Sequence, residues 1–136
     1  MSIGLSAQDH ALAVERCRAA GLDPQRMPRH LAMIMDGNGR WAKGKGWERT
    51  QGHRKGADSV RTVTTECVRL GIERLTLYTF SSENWSRPAH EIAFLMALLK
   101  DMLRQELPTL RENGVRLEAI GRLARLPAGV REALDE

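Results

Sequence analysis

An aspartate followed by a glycine-spaced turn is the part of this sequence best suited to binding chemistry. Residues 30–46 read HLAMIMDGNGRWAKGKG, in which a short apolar run ends at Asp36. The turn after it consists of Gly37, Asn38, Gly39 and Arg40. Glycines let backbone N–H groups approach an anion closely, and an arginine adds a side-chain donor. Since a carboxylate repels a phosphate unless a cation such as Mg²⁺ bridges the two, the turn predicts a metal–diphosphate site.

Two other phosphate-binding patterns match part of the same stretch and remain alternatives at this point. Residues 37–42 fit G-x-G-x-x-A, the dinucleotide fingerprint, although Asp36 and Arg40 would crowd a pyrophosphate bound there. Residues 39–45 fit G-x-x-x-x-G-K, but Gly46 stands where a P-loop needs Ser or Thr to hold Mg²⁺. A plain tight turn before a solvated basic helix is the simplest alternative.

A second polar loop, residues 81–87 with the sequence SSENWSR, follows the next apolar run of the chain. Arg49, His53 and Arg87 could supply further donors to phosphate oxygens. A single histidine is more often a surface or capping residue than a ligand, and tryptophans beside such loops are more often packing residues than substrate platforms.

Apolar periodicity predicts the elements that position these residues. Residues 31–35 and 72–80 are predicted strands, and residues 115–120 alternate as a third. Helices are predicted over residues 7–20, over 53–70 ending at Gly71, over 88–107 with Pro108 bending or ending the helix, and from residue 127 onward. The order βαβαβα predicts an α/β fold, an incomplete parallel sheet with flanking helices. We expect residues 1–29 to form an N-terminal arm and residues 30–136 a partial domain.

The carboxyl ends of parallel strands line one edge of a sheet, where α/β proteins usually bind their ligands. We expect that edge to gather residues 36–40, residues 81–87 and the pair Gly121 and Arg122. Residues 92–99 are apolar all round, which predicts a core helix covered on every side or a helix that lines an apolar cavity. A ligand with a diphosphate head and a hydrocarbon tail would fit both kinds of surface.

Composition narrows the class of protein. The 136 residues are 42% hydrophobic and 28% charged, which is typical of one globular domain. The net charge of +4 permits an anionic partner without choosing one, and no nucleic acid is expected because the basic residues cluster at one site. Cys17 and Cys67 are predicted to be small buried groups. No signal-peptide or membrane-span pattern occurs, so we expect a cytoplasmic location.

These motifs closely resemble those of the cis-prenyltransferases, the family of undecaprenyl or polyprenyl diphosphate synthases. The similar segments are HLAMIMDGNGRWAKGKG, Arg49 with the following GHRKG run, and LYTFSSENWSRP, in the family's order and spacing. The resemblance spans roughly residues 28–99. Trans-prenyltransferases rely instead on paired D-D-x-x-D motifs, and none occurs in this sequence.

The resemblance implies an Mg²⁺-dependent transferase that adds isopentenyl diphosphate to an allylic diphosphate such as farnesyl diphosphate, creating Z double bonds. By this resemblance Asp36 would bind Mg²⁺ and help the allylic diphosphate depart, and Asn84 is the candidate for handling the proton lost on condensation. The substrate-binding residues would be Gly37, Asn38, Gly39, Arg40, Trp41, Arg49, His53, Ser81, Ser82, Glu83, Trp85 and Arg87. The tunnel for the growing chain would be lined by Leu95, Leu98 and Leu99.

The resemblance also implies a homodimer for the full-length family member, with peripheral membrane contact through the product. Family members continue with further strands, an arginine–serine segment that holds isopentenyl diphosphate and a second Mg²⁺-binding glutamate. Since these 136 residues carry the allylic half-site alone, we expect a truncated chain or a fragment. A non-catalytic diphosphate-binding accessory subunit and a nucleotide-binding α/β enzyme remain alternatives.

Overall fold

Two parallel strands and five α-helices make up residues 6–136, the part of the chain that the computed structural model describes. The elements in chain order are α1 (Ala7–Ala19), β1 (His30–Ile34), α2 (Asn38–Gly44), α3 (Arg49–Arg69), β2 (Arg74–Tyr78), α4 (Ala89–Glu112) and α5 (Ala128–Asp135). Short 3₁₀ helices occupy three connections, at Pro24–Arg26, Ser82–Ser86 and Leu123–Arg125. Across the described range, no helix combines the length and apolar character that crossing a membrane requires.

β1 and β2 pair in parallel, from His30 opposite Arg74 to Ile34 opposite Tyr78. Parallel neighbours need a long crossover connection, which α2 and α3 supply. The predicted α/β class with a parallel sheet is therefore confirmed. The crossover differs in detail from the prediction, because part of the expected turn forms α2 and the long helix α3 begins before residue 53. Gly71 follows that helix with φ of 72°, the left-handed stop that the sequence predicts.

The predicted third strand over residues 115–120 is wrong. Within residues 6–136 the sheet has two strands, and this segment pairs with neither. Two of its apolar side chains are exposed, Leu117 at 41% and Ile120 at 84%. Alternating apolar residues identify the two faces of an extended chain, but a strand also needs a neighbour for its backbone hydrogen bonds. Gly121 and Arg122 consequently do not follow a strand end, which removes the basis for predicting them at the sheet edge.

α4 is longer than predicted and less completely covered. It continues through Pro108 to its last residue, Glu112, so the predicted end near residue 107 is wrong. A proline inside a helix costs ~3 kcal/mol or more. Buried leucines on both sides of the proline, Leu103 and Leu110, hold the helix together by packing. The apolar segment over residues 92–99 is not covered on every side, because Ala93 and Ala97 are exposed.

The main apolar core lies between α4 and α5. Its buried side chains are Met96 and Leu103 from α4 with Val130 and Ala133 from α5. Phe80 and Trp85, on the connection before α4, pack against this cluster. The core therefore fixes the polar loop at residues 81–87 relative to the first turn of α4.

α1 packs against the long crossover helix α3. A capping box at Ser6 begins α1, and His10 Nδ1 lies 2.8 Å from the backbone carbonyl oxygen of Arg69, to which it donates. The helix predicted over residues 7–20 is confirmed. Cys17 and Cys67 are free and buried, also as predicted, and burial raises the pKa of the Cys67 thiol.

Candidate functional site

The glycine turn, defined here as residues 36–40, exposes the side chain of its aspartate to solvent. Gly37 has φ of 93°, a left-handed conformation that favours glycine, and it precedes α2. Asp36 Oδ1 accepts from the backbone N–H of Gly37 at 2.6 Å. Asp36 Oδ2 accepts from Arg40 Nη2 at 2.9 Å, and both side chains are exposed. The carboxylate and its guanidinium partner are thus presented together to solvent.

α3 lies against this turn because two of its residues lack side chains. A Cβ at Gly52 would overlap the backbone oxygen of Asn38 and would lie only 2.8 Å from the carbonyl carbon of that residue. A Cβ at Gly56 would lie 2.5 Å from Asn38 Nδ2. The spacing of four residues places both glycines on one face of α3. The backbone and side chain of Asn38 are thereby held between the turn and α3.

Arg49, the first residue of α3, extends its guanidinium over the turn. A Cβ built at Gly39 would lie 3.2 Å from Arg49 Cζ and 3.3 Å from Arg49 Nε. Any side chain at position 39 would therefore displace the guanidinium. This contact connects the glycine turn with the cationic residues of α3.

A buried glutamate, Glu91, gathers two guanidinium groups and one imidazole around one oxygen. Its Oε1 lies 3.1 Å from His53 Nε2, 3.2 Å from Arg87 Nη1 and 3.4 Å from Arg49 Nε. Because a carboxylate only accepts hydrogen bonds, His53 Nε2 donates in this pair. The Glu91 side chain is 7% exposed and that of His53 12%. We call these four residues the Glu91 cluster.

The charge state of Glu91 follows from two opposing effects. Burial raises the pKa of the Glu91 carboxyl, but the hydrogen bond from His53 and the charges of Arg49 and Arg87 outweigh burial and lower it. Glu91 is therefore ionised at neutral pH. Its single negative charge is opposed by two guanidinium groups, so the cluster carries a positive surplus.

The polar loop at residues 81–87 is held by hydrogen bonds of its own. The backbone N–H of Ser81 donates to Asn84 Oδ1 at 2.9 Å, and the hydroxyl of Ser81 donates to Glu83 Oε2 at 3.2 Å. The backbone N–H of Arg87 donates to the carbonyl oxygen of Asn84 at 3.1 Å. Ser81 is buried, whereas Ser82 and Glu83 are exposed. These bonds fix the backbone from which Arg87 reaches Glu91.

Two of the tryptophans named in the sequence analysis lie in different surroundings. Trp41 packs edge-to-face with Trp47 at a ring distance of 5.4 Å, and both rings are partly exposed. Trp85 packs edge-to-face with Phe80 at 4.9 Å, and the Arg125 guanidinium lies 4.8 Å from its ring centre. Trp85 is thus a packing residue of the core as well as a member of the polar loop.

An open apolar cavity of about 510 Å³ lies between α4 and α5. Trp85, Ile92, Met96 and Val130 line it, together with Ala93 and Ala97. Leu95, Leu98 and Leu99, the leucines expected to line a tunnel, are not among its lining residues. Leu99 packs instead against the α4–α5 core.

The structure brings together most of the site residues named from the sequence. Contacts run continuously from the glycine turn through Arg49 to Glu91 and on to His53 and Arg87. Sequence reasoning missed Glu91, and it gave no reason for Gly52 and Gly56 beyond their place in a motif. The spacing of four residues between Arg87 and Glu91 could have indicated an ion pair on one helix face. The G-x-x-x-G spacing of Gly52 and Gly56 could have indicated a helix face that is approached closely.

The residues of the glycine turn suit a metal ion that is shared with a bound phosphate. Within residues 6–136, no group of three or more His, Cys, Asp or Glu side chains forms a metal cage. Mg²⁺ is commonly held by one or two carboxylates together with substrate phosphates and water. The single exposed carboxylate of Asp36 meets that requirement when a diphosphate supplies further oxygens.

Comparison with known proteins identifies the family. Residues 34–136 match the family described as "Putative undecaprenyl diphosphate synthase". The chain belongs to this prenyltransferase family. It is 47% identical over 129 residues to an isoprenyl transferase of Heliobacterium mobile, covering 95% of this chain and 50% of that protein. It is 56% identical over 110 residues to an isoprenyl transferase of Chlorobaculum tepidum, covering 81% and 42% respectively.

A solved structure shares the fold of this prenyltransferase chain. It is lavandulyl diphosphate synthase from Lavandula x intermedia in complex with dimethylallyl diphosphate, with a TM-score of 0.74 and 34% sequence identity. The match covers 79% of this chain and 47% of the plant protein. The resemblance stated from the motifs is confirmed. The chain spans about half the length of the curated relatives that it matches.

Proposed function

We propose that this chain contributes the allylic half-site of a cis-prenyltransferase, which condenses isopentenyl diphosphate with an allylic diphosphate such as farnesyl diphosphate. The observation that carries the proposal is the position of the Arg49 guanidinium, which approaches to 3.2 Å the place that a Cβ on Gly39 would take and lies 3.4 Å from Glu91 Oε1. That contact joins the exposed carboxylate turn to a cluster with surplus positive charge, a combination that suits a diphosphate. The relatives named isoprenyl transferase support the same chemistry.

The proposed reaction breaks the bond between the allylic carbon and the diphosphate oxygen. A carbon–carbon bond forms to isopentenyl diphosphate, and a proton is lost. Arg40, Arg49 and Arg87 would donate hydrogen bonds to the departing diphosphate, whose negative charge grows as the bond breaks. Asp36 would hold Mg²⁺, which when bound neutralises charge on the leaving group. We assign the handling of the lost proton to Asn84.

The remaining pocket residues stay predictions in the roles that the family resemblance gives them. They are Gly37, Asn38, Gly39, Trp41, His53, Ser81, Ser82, Glu83 and Trp85 as substrate-binding residues, with Leu95, Leu98 and Leu99 for the product chain. Dimer formation, membrane contact through the product, the cytoplasmic location and the division into an arm and a partial domain are likewise predictions. Size-exclusion chromatography with light scattering and cell fractionation would check the first three.

Substitution of Asp36 tests the proposed function. Wild type and Asp36→Ala, each in a full-length version that carries the rest of the site, would be incubated with Mg²⁺, farnesyl diphosphate and radiolabelled isopentenyl diphosphate, and polyprenyl product would be counted. We expect Asp36→Ala to lose about 100-fold or more of the product, since it removes the proposed metal ligand. Asp58→Ala is the matched control, because Asp58 is an exposed carboxylate of α3 paired with Lys55. Equal product from both variants would refute the role of Asp36.

An accessory role is the second candidate, because the chain spans about half of its relatives. A silent diphosphate-binding subunit would bind farnesyl diphosphate in the presence of Mg²⁺ but form product only when a catalytic subunit is added. Calorimetric binding of farnesyl diphosphate to the wild type, measured beside the product assay, separates the two. Absence of binding would reject both candidates.

A further inference from the structure

We infer that Glu91 is a positioning residue that sets the orientation of Arg49, His53 and Arg87 toward a bound diphosphate. The inference rests on the proposed function and deepens it. Glu91 was not among the residues that the sequence singled out, and nothing in the reaction requires it to touch substrate. Its role follows from what its carboxylate contacts and from where those partners lie.

One carboxylate oxygen links three separate parts of the chain. Arg49 and His53 lie in the first two turns of α3, Arg87 ends the polar loop, and Glu91 lies in the first turn of α4. All three distances to Oε1 fall between 3.1 and 3.4 Å. Removing this oxygen would release each of the three side chains independently. The orientation of all three therefore depends on one residue.

The burial of the Glu91 carboxylate depends on the partners that surround it. Taking an isolated carboxylate out of water is costly, and the hydrogen bonds from His53 and Arg87 together with the charge of Arg49 offset that cost. Each guanidinium has five N–H donors, and Glu91 engages only part of them. The unengaged donors of Arg49 and Arg87 remain available to phosphate oxygens. Glu91 thus fixes the two guanidinium groups without using up their hydrogen-bonding capacity.

The cluster is coupled to the glycine turn through Arg49. The guanidinium of Arg49 contacts the position of a Gly39 Cβ at 3.2 Å while its Nε faces Glu91. A change in the Glu91 cluster is therefore transmitted to the surface of the turn. On the side of the polar loop, the backbone N–H of Arg87 donates to the carbonyl oxygen of Asn84. Glu91 lies between the two loops that the proposed site combines.

A simpler role for Glu91 makes the opposite prediction. An acidic residue in the first turn of α4 also stabilises the helix dipole, and in that case its neighbours would keep their positions without it. Removing a negative charge beside an anion site would then strengthen anion binding through simple Coulomb attraction. Positioning predicts weaker binding despite the favourable change in charge. The sign of the effect separates the two roles.

Calorimetric titration with inorganic pyrophosphate, with and without Mg²⁺, tests the inference on the 136-residue chain. We expect Glu91→Gln to bind pyrophosphate about tenfold more weakly than wild type, because charge-assisted hydrogen bonds lose their alignment. Glu73→Gln is the matched control, since Glu73 is an exposed carboxylate paired with Arg29, and its affinity should stay within about twofold of wild type. Equal or tighter binding by Glu91→Gln would overturn the inference.

A second variant keeps the test decisive if Glu91→Gln does not fold. Glu91→Asp retains the charge but shortens the side chain by one methylene group, so it cannot reach all three partners at once. We expect it to weaken pyrophosphate binding too, and unchanged affinity in a folded Glu91→Asp chain would overturn the inference. If wild type itself binds no pyrophosphate, the proposed function fails, and the inference that rests on it fails with it. If wild type binds pyrophosphate and the folded Glu91 variants bind it with unchanged affinity, the inference is refuted while the proposed function stands.

Discussion

The contact between α2 and α3 gives a sharp prediction about Gly52. Replacing it with alanine places a Cβ where it overlaps the backbone oxygen of Asn38 and lies 3.0 Å from the Ala42 Cβ. Neither neighbour is the free end of a flexible side chain, so the two helices must move apart. We therefore expect Gly52→Ala to destabilise the fold although alanine is the better helix former.

The magnitude follows from two opposing contributions. Overpacking a close contact costs about 3 kcal/mol at the upper end of its usual range. The higher helix propensity of alanine returns ~1 kcal/mol, which leaves a net loss of ~2 kcal/mol. For a chain of this length, a loss of that size lowers the melting temperature by about 7 °C. Thermal unfolding followed by circular dichroism would measure the shift.

Gly44→Ala is the matched control for Gly52→Ala. Gly44 is the last residue of α2, and nothing lies within 4 Å of a Cβ placed there. Its substitution should leave the melting temperature unchanged or raise it by about 2 °C, through helix propensity alone. If Gly52→Ala were as stable as Gly44→Ala, the close approach of α3 to Asn38 would be refuted.

Three further tests concern other parts of the structure. Gly56→Ala meets only the flexible amide of Asn38, so we expect a melting temperature within about 3 °C of wild type but weaker pyrophosphate binding in calorimetry. The folded pKa of Glu91 lies below its ordinary value of 4.5, so the unfolded chain binds more protons there and stability falls as pH drops below 4.5. Urea unfolding across this range should show a shallower fall for Glu91→Gln than for wild type. Met96→Ala removes a buried core side chain and should cost about 3 kcal/mol in urea unfolding, whereas Leu12→Ala, at an exposed position, should cost under about 1 kcal/mol.

Each of these tests has an outcome that contradicts its premise. Unchanged pyrophosphate affinity in Gly56→Ala would mean that the Asn38 side chain does not contribute to the anion site. Equal slopes of stability against pH for wild type and Glu91→Gln would mean that Glu91 is not held in its ionised form by the cations around it. A loss in Leu12→Ala as large as that in Met96→Ala would contradict the position of the core between α4 and α5.

Local sequence determined the elements whose signals are short-range. Apolar runs bounded by turn residues located β1 and β2, and periodicity with a glycine stop located α3. The motif around Asp36 and the polar loop at residues 81–87 are enough to indicate the family without any tertiary contact. These features depend on residues within a few positions of one another, which the sequence presents directly.

Tertiary structure alone decided which residues meet across the chain. The segment over residues 115–120 alternates as a strand should, but strand formation depends on a pairing partner that alternation does not specify. Glu91 resembles an ordinary helix-start acid until α3 brings His53, 38 positions away in sequence, to its carboxylate. At its buried position Glu91 becomes the common partner of Arg49, His53 and Arg87, because a carboxylate removed from water needs partners that offset the loss of hydration. Sequence spacing encodes the local pattern, whereas the Glu91 cluster exists only where three separate segments are packed together.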